Sequence, residues 1–235
     1  MAGFKTHIST STVLGIGYGM VGYFALDMSP VTCMLAAGLC SVAGMLPDLD
    51  SNSGVPVRET MAFVAAGVPM LLLRRFQDLN FSVESMALAG MLIYIVLRFG
   101  VAEIFKRYTK HRGMWHSLPA CAVVGLLAYL IVHGDTFEQR LYKALAVAAG
   151  FLCHLVLDEM WSVQWQGGRV ELKKSFGTAI KFWSKSGWAN VSTYGKLVLL
   201  IVVALLIDPH IGQQFGVDQE RVQYIARDFM DSIQR

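Results

Sequence analysis

Long apolar stretches, nearly free of charge and closed off by prolines, aspartates or arginines, constrain this chain more than any other feature. A helix that crosses a bilayer needs about 20 largely apolar residues, with about 17 as the lower limit. Residues 10–26 meet that limit, and glycines 15, 17, 19 and 22 there permit close helix contact. Residues 27–30 form a turn, and Pro30 suits a helix start. The second stretch, residues 31–46, is short and stops at Pro47. Residues 51–56 read as a loop. The third stretch, 57–73, contains Pro69 and ends at Arg74-Arg75; it reads as a full span, with a re-entrant helix as the alternative. The fourth runs from Val83 to about Phe105 and closes in the basic run 106–112. The fifth covers 117–132, the sixth runs from near Glu138 to Met160, and the last covers 191–207 before Asp208-Pro209.

Residues 161–190 differ. Trp161, Trp165, Trp183 and Trp188 are interleaved with Arg169, Lys173, Lys174, Lys181 and Lys185, a mixture that suits an interfacial segment against anionic headgroups. Composition agrees with a membrane protein. Of 235 residues, 54% are hydrophobic and 16% charged, against about 25% charged in soluble domains. Mean hydropathy is +0.48. The expected fold is therefore all-α: a polytopic transmembrane helical bundle of about six or seven membrane segments. Residues 1–208 form one membrane-embedded domain and 209–235 a polar tail. The four cysteines contain no CxxC pair and read as small buried hydrophobes. No cleavable signal peptide is expected, because His7 and the Ser/Thr run 9–12 interrupt the apolar core. The net charge of +3 gives no reason to expect nucleic acid.

The polar exceptions sit at the ends of these stretches. They are His7, the Pro47-Asp48-Leu49-Asp50 run, His111 and His116, and the His154/Asp158 pair. Imidazole and carboxylate are the usual ligands of a divalent metal that supports hydrolysis, and charge beside lipid is costly and usually functional. His154 and Asp158, four apart, share a helix face. Asp48 and Asp50 repel unless a cation or proton lies between them. His111 and His116 need a loop or helix start to turn both inward. If seven segments cross in alternation, every one of these residues falls on the same membrane side. That side also collects Lys106, Arg107, Lys110 and Arg112, which makes it cytoplasmic; Arg74-Arg75 and Arg140/Lys143 argue the other way. Arg112 is the candidate to receive a phosphate oxygen. Arg58 and Glu59 are candidates to contact substrate and to support the ligands, whereas Glu159 reads as a solvated rim carboxylate, with a partner of the ligands as the alternative. His133 and His210 fall on the opposite side and are excluded. No Walker phosphate loop, dinucleotide fingerprint or GxSxG elbow is present.

Thr6-His7, the Leu46-Asp50 run, His111-Arg112-Gly113-Met114-Trp115-His116-Ser117 and His154-Leu155-Val156-Leu157-Asp158 together resemble the YdjM-like inner-membrane family, described as metal-dependent hydrolases of the DUF457 type. The resemblance covers residues 6–158 and is weakest after Trp161. The family more usually has threonine at position 115, so Trp115 implies a narrower pocket. A distant similarity to zinc-dependent phospholipase C implies phosphoester hydrolysis of a phospholipid or another phosphoester. The resemblance implies a multi-pass protein of the bacterial inner membrane. It also implies one or two zinc ions, with manganese or iron as alternatives. The expected metal ligands are His7, Asp48, Asp50, His111, His116, His154 and Asp158. Asp50, His116, Asp158 and Arg112 are the expected catalytic residues, acting through a metal-activated water. The competing readings are a structural or regulatory membrane protein with a stabilising metal, and a metal or ion transporter.

Overall fold

The computed structural model describes residues 2–50, 54–101, 103, 113–166, 169–172, 177–208 and 211. The side chains of residues 50, 54–56, 164–166, 169–172 and 207 lie outside that description. Seven α-helices carry the fold among these residues: α1 (Phe4–Ala25), α2 (Pro30–Ala43), α3 (Gly54–Asp78), α4 (Val83–Ile95), α5 (Leu118–Ile131), α6 (Phe137–Met160) and α7 (Gly187–Ile207). A 3-10 turn, Leu46–Asp50, follows α2, and a π-helical turn, Val96–Val101, prolongs α4.

Helix starts follow local chemistry. Ser29, Ser82, Ser117, Thr136 and Ser186 each accept a hydrogen bond from a backbone N–H three residues on, satisfying a donor that the helix leaves over. Pro30 and Pro119 occupy the first helical turns of α2 and α5, where a missing N–H costs nothing.

Two stripes of small residues set the packing. On α1 the buried face is His7, Ser11, Gly15, Gly19 and Gly22, spaced mostly by four. A Cβ on Gly15 would stand 2.5 Å from the Ala37 carbonyl oxygen, and one on Gly19 would stand 3.1 Å from that of Cys33. Hydrogen at these positions is what lets α1 lie directly on α2. Ser11 Oγ donates to Ser41 O at 2.9 Å, and Thr12 Oγ1 lies 2.6 Å from Ser41 Oγ. On α6, Gly150 abuts Cys40 and Ala43 of α2. Between lipid-facing helices apolar burial gives little drive, so close contact of this kind holds the pair. Phe151 and Leu155 of α6 fill the space toward α5 with Ala120, Cys121 and Val124.

Among the described residues, three helices are long and apolar enough to cross a membrane: Val83–Val101, Phe137–Met160 and Gly187–Leu206. The first and third bury almost none of their residues, which suits contact with lipid, whereas 61% of the second is buried inside the bundle. The remaining stretches expected to span do not meet both criteria. α2 and α5 are apolar but only 14 residues long, because α2 ends at Gly44 and α5 at Val132. α1 begins at Phe4 and so carries Lys5, His7 and the hydroxyl run; α3 includes Arg58, Glu59, Arg74, Arg75 and Asp78. The fold also departs from a purely helical one. Within the segment expected to be interfacial, β1 (Val163–Gln166) pairs antiparallel with β2 (Arg169–Leu172), Val163 facing Leu172. Trp183 and Trp188 are exposed there as well. Of the polar tail, only Ile211 lies within the described residues.

Candidate metal centre

Four elements bring five candidate ligands to one end of the bundle. The small stripe of α1 runs into His7, so the residue is turned into the α1–α2–α6 junction, 1% exposed. On α6 the spacing Gly150, His154, Asp158 continues the face packed on α2 and places both groups at the same junction. Asp48 arrives on the 3-10 turn after α2. His116 arrives just ahead of α5, in a turn closed by its own N–H to Gly113 O at 3.1 Å. That turn is pinned twice: Ser117 caps α5, and Trp115 Nε1 donates to Leu46 O at 2.9 Å. Trp115 thus ties the His116 turn to the Asp48 turn and packs edge-on against Phe151.

The geometry is that of a buried donor cluster. His7 Nε2 lies 3.4 Å from Asp158 Oδ1. His154 Nε2 lies 3.6 Å from Asp48 Oδ1 and 3.9 Å from Asp158 Oδ2. The His7 and His154 rings stack with centroids 3.6 Å apart and planes 12° from parallel, and His116 meets His154 at 5.7 Å. His154 Nδ1 lies 2.7 Å from Gly44 O. A carbonyl can only accept, so Nδ1 carries the proton and Nε2 presents its lone pair to the cluster. Donor atoms of His7, His154 and Asp158 lie within 4.8 Å of one another, and so do those of Asp48, His116 and His154.

A metal fits these residues. His7 Nδ1 and His154 Nε2 are buried without a hydrogen-bond partner, a condition that costs roughly 1–3 kcal/mol per group. Histidine nitrogen with carboxylate oxygen is a donor set suited to zinc, manganese or iron.

Other expected residues are placed differently. Asp50 stands in the same 3-10 turn as Asp48, but its side chain, with the whole of His111 and Arg112, lies outside the described residues. Arg58 and Glu59 are not brought to the cluster; they pair with each other at 3.0 Å on the exposed surface. Glu159 is neither a solvated rim carboxylate nor a partner of these ligands. It accepts the N–H groups of Gly177 and Ala179 and so fastens the strand-bearing segment to the end of α6. Cys153, beside His154, belongs to neither donor group and is a free thiol. His133, expected on the far side, belongs to neither group; its carbonyl accepts from Lys143 near the start of α6. His210 lies outside the described residues. Gly44 is the contributor that sequence reading missed. Its role belongs to a backbone carbonyl, which no side-chain pattern announces.

No curated protein and no solved structure matches the chain. The model of the YdjM inner membrane protein family does match, over residues 1–207, and so reaches past the 6–158 region on which the resemblance rested and through α7. With 207 of 235 residues covered, the chain belongs to the YdjM family of inner membrane proteins.

Proposed function

We propose that this protein is a multi-pass, membrane-embedded metal-dependent hydrolase acting on a phosphoester or another ester, a phospholipid among them. One observation carries the reading: three histidines and two aspartates, drawn from four elements, meet at one end of the bundle around buried nitrogens with no hydrogen-bond partner. When bound there, a divalent metal supplies Lewis acidity and lowers the pKa of a water from 15.7 to about 7. The chain's own residues do the rest. Gly44 O holds His154 in the tautomer that binds through Nε2. Asp48 and Asp158 balance the cation's charge, and the packed junction keeps bulk water from competing. Arg112 is assigned by its charge to steady a phosphate oxygen, and Asp50 to the same cluster by its place in the Asp48 turn. Alternating crossings would put the centre at the cytoplasmic rim, beside Lys106, Arg107 and Lys110.

A stabilising metal without catalysis is the second reading, and burial favours it. His7, His116, His154 and Asp158 are at most 1% exposed, as in closed structural sites. The side chain of Asp48, 14% exposed, offers the open edge that a catalytic site needs. Transport is less well supported, since the donors stand at helix ends rather than at mid-length.

Elemental analysis of detergent-purified protein, with a phosphoester and phospholipid turnover panel, tests the proposal. The wild type should hold a transition metal and turn over a substrate; a folded His154→Ala/Asp158→Ala variant should do neither. Metal retention without turnover on any ester would move the assignment to the stabilising role. A wild type that takes up no zinc, manganese or iron on reconstitution would overturn both.

A further inference from the structure

We infer that the α5–α6 pair binds one phospholipid at the end of the bundle opposite the metal centre, with an acyl chain in the groove between the two helices and the phosphate on Arg140 at its mouth. The site shares no residue with the metal cluster, so the inference stands apart from the proposed function.

The groove has a volume of about 280 Å³ and runs from Tyr129 and Phe137 down to Ala122 and Ala148. Residue spacing creates it. On α6, Phe137, Leu141, Leu145 and Ala148 recur at the three- and four-residue steps of one helical face. α5 runs the other way beside them, so that Tyr129 meets Phe137 at one end and Cys121 Sγ donates to Ala148 O at 3.3 Å at the other. A Cβ on Gly125 would stand 3.2 Å from the Ala148 Cβ, so small residues let the helices touch and close the deep end. Leu141 and Leu145 are exposed and form the lip.

The dimensions are those of one leaflet. At a rise of 1.5 Å per residue, the stretch from Phe137 to Ala148 covers about 16 Å, close to half of a hydrocarbon core of about 30 Å. α6 is long and apolar enough to cross such a core. Asp158 lies about 15 Å further along the same helix, so the groove ends well short of the metal cluster. The hydroxyl on its wall, that of Tyr129, is committed to Asp208 at 2.8 Å. An apolar hollow of this kind does not hold water and suits a hydrocarbon chain.

The mouth offers a phosphate ligand. Arg140, in the first turn of α6, places its guanidinium carbon 4.5 Å from the centre of the Tyr129 ring and so stands beside the groove wall. Its Nη1 pairs with Asp208 at 2.5 Å, while Nε and Nη2 have no hydrogen-bond partner. Those two nitrogens form one edge of the guanidinium, which a phosphate engages through two parallel hydrogen bonds. Asp208 already balances the charge. Directed donors rather than net charge therefore select the ligand, and the headgroup can be zwitterionic or anionic. Both nitrogens are covered, so the phosphate reaches them as the rim rings of Tyr129 and Phe137, in edge contact at 6.2 Å, part around the entering chain.

Native mass spectrometry of the full-length protein released from detergent tests this, with phosphatidylglycerol, phosphatidylcholine, diacylglycerol and inorganic phosphate as separate probes. Wild type should retain one molecule of either phospholipid per chain and about tenfold less diacylglycerol at equal concentration, the loss expected for hydrogen bonds to a charged group. Inorganic phosphate alone should not bind. Ala122→Phe, at an exposed position of the groove, fills the deep end and should lower phospholipid retention by about tenfold, the equivalent of 1.4 kcal/mol. Arg140→Met/Asp208→Leu removes the donors together with their counter-charge and should bring phospholipid down to the diacylglycerol level. Equal retention of phospholipid and diacylglycerol by the wild type would overturn the inference, and so would unchanged retention in Ala122→Phe. Binding of inorganic phosphate as tight as that of phospholipid would assign the Arg140 edge to a free anion. A wild-type dimer that Ala122→Phe disperses would assign the groove to a second copy; either result overturns the lipid site. The comparison among probes on the wild type needs no substitution, so a variant that fails to fold does not shield the claim.

Discussion

Gly150→Ala should disturb the candidate metal centre without touching any of its proposed ligands. A Cβ at this position would stand 2.9 Å from the Cys40 carbonyl carbon and 3.1 Å from the Ala43 Cβ, and closer still to the Cys40 oxygen. Ordinary carbon contacts begin at about 3.5 Å, so α2 and α6 must part by roughly 0.6 Å even on the carbon alone. Backbone on the α2 side cannot swing aside as a flexible side chain would. The same displacement carried to the end of the pair stretches the His154 Nδ1–Gly44 O bond from 2.7 Å to about 3.3 Å, past the usual 2.7–3.2 Å range. Overpacking costs typically 1–3 kcal/mol and a weakened buried hydrogen bond about 1 kcal/mol more. A total of about 2–4 kcal/mol corresponds to a melting decrease on the order of 10 °C. Thermal unfolding in detergent, followed by tryptophan fluorescence or size-exclusion, should show it, together with reduced uptake of added zinc, manganese or iron in equilibrium dialysis. Gly38→Ala, in α2 with nothing within 4 Å of the added carbon, is the control. It should melt at the wild-type temperature or slightly above, since alanine favours helix over glycine by up to about 1 kcal/mol. Equal melting and equal metal content in the two variants would refute the idea that the glycine contact positions His154.

The remaining predictions concern supports at the two ends. Trp115→Phe removes the donor to Leu46 O and should cost about 1 kcal/mol; equilibrium dialysis should show weaker zinc binding, because the His116 and Asp48 turns are no longer tied. At the opposite end Asp208 accepts from Tyr129 at 2.8 Å and pairs with Arg140 at 2.5 Å, joining α5, α6 and the close of α7. Asp208→Ala leaves a buried guanidinium without its counter-charge and should destabilise by about 3–5 kcal/mol, measured by denaturation in detergent. An Arg140→Met/Asp208→Leu pair should recover most of that loss, and uptake of added transition metal should remain unchanged in every variant that folds.

The amino-acid order alone dictates which groups are available and to which helix ends they belong. The i,i+4 spacing of His154 and Asp158 puts both on one helical face wherever the helix lies. His7 heads the same face as Gly15 and Gly19, and a glycine face is turned toward a neighbour because only there does the missing Cβ help. Polar groups at the margins of apolar stretches are confined to those margins by desolvation, so their gathering at one end is legible in the order of residues. Contacts between helices are of a different kind, and folding alone sets them. That α2 stops at Gly44, leaving its carbonyl for His154, depends on the 3-10 turn that follows and on α6 lying against it. The 3.6 Å stacking of His7 on His154 is set by how closely α1 and α6 approach through α2. Glu159 reads as a rim carboxylate until the fold brings it the N–H groups of Gly177 and Ala179. The pairing of β1 with β2 is legible, since apolar and polar residues alternate on both sides of Gly167-Gly168, but reading 161–190 as an aromatic and basic interfacial segment passes over it. Spacing along one helix is local covalent geometry and survives in any fold. Distances between helices come from packing against partners that a sequence does not name.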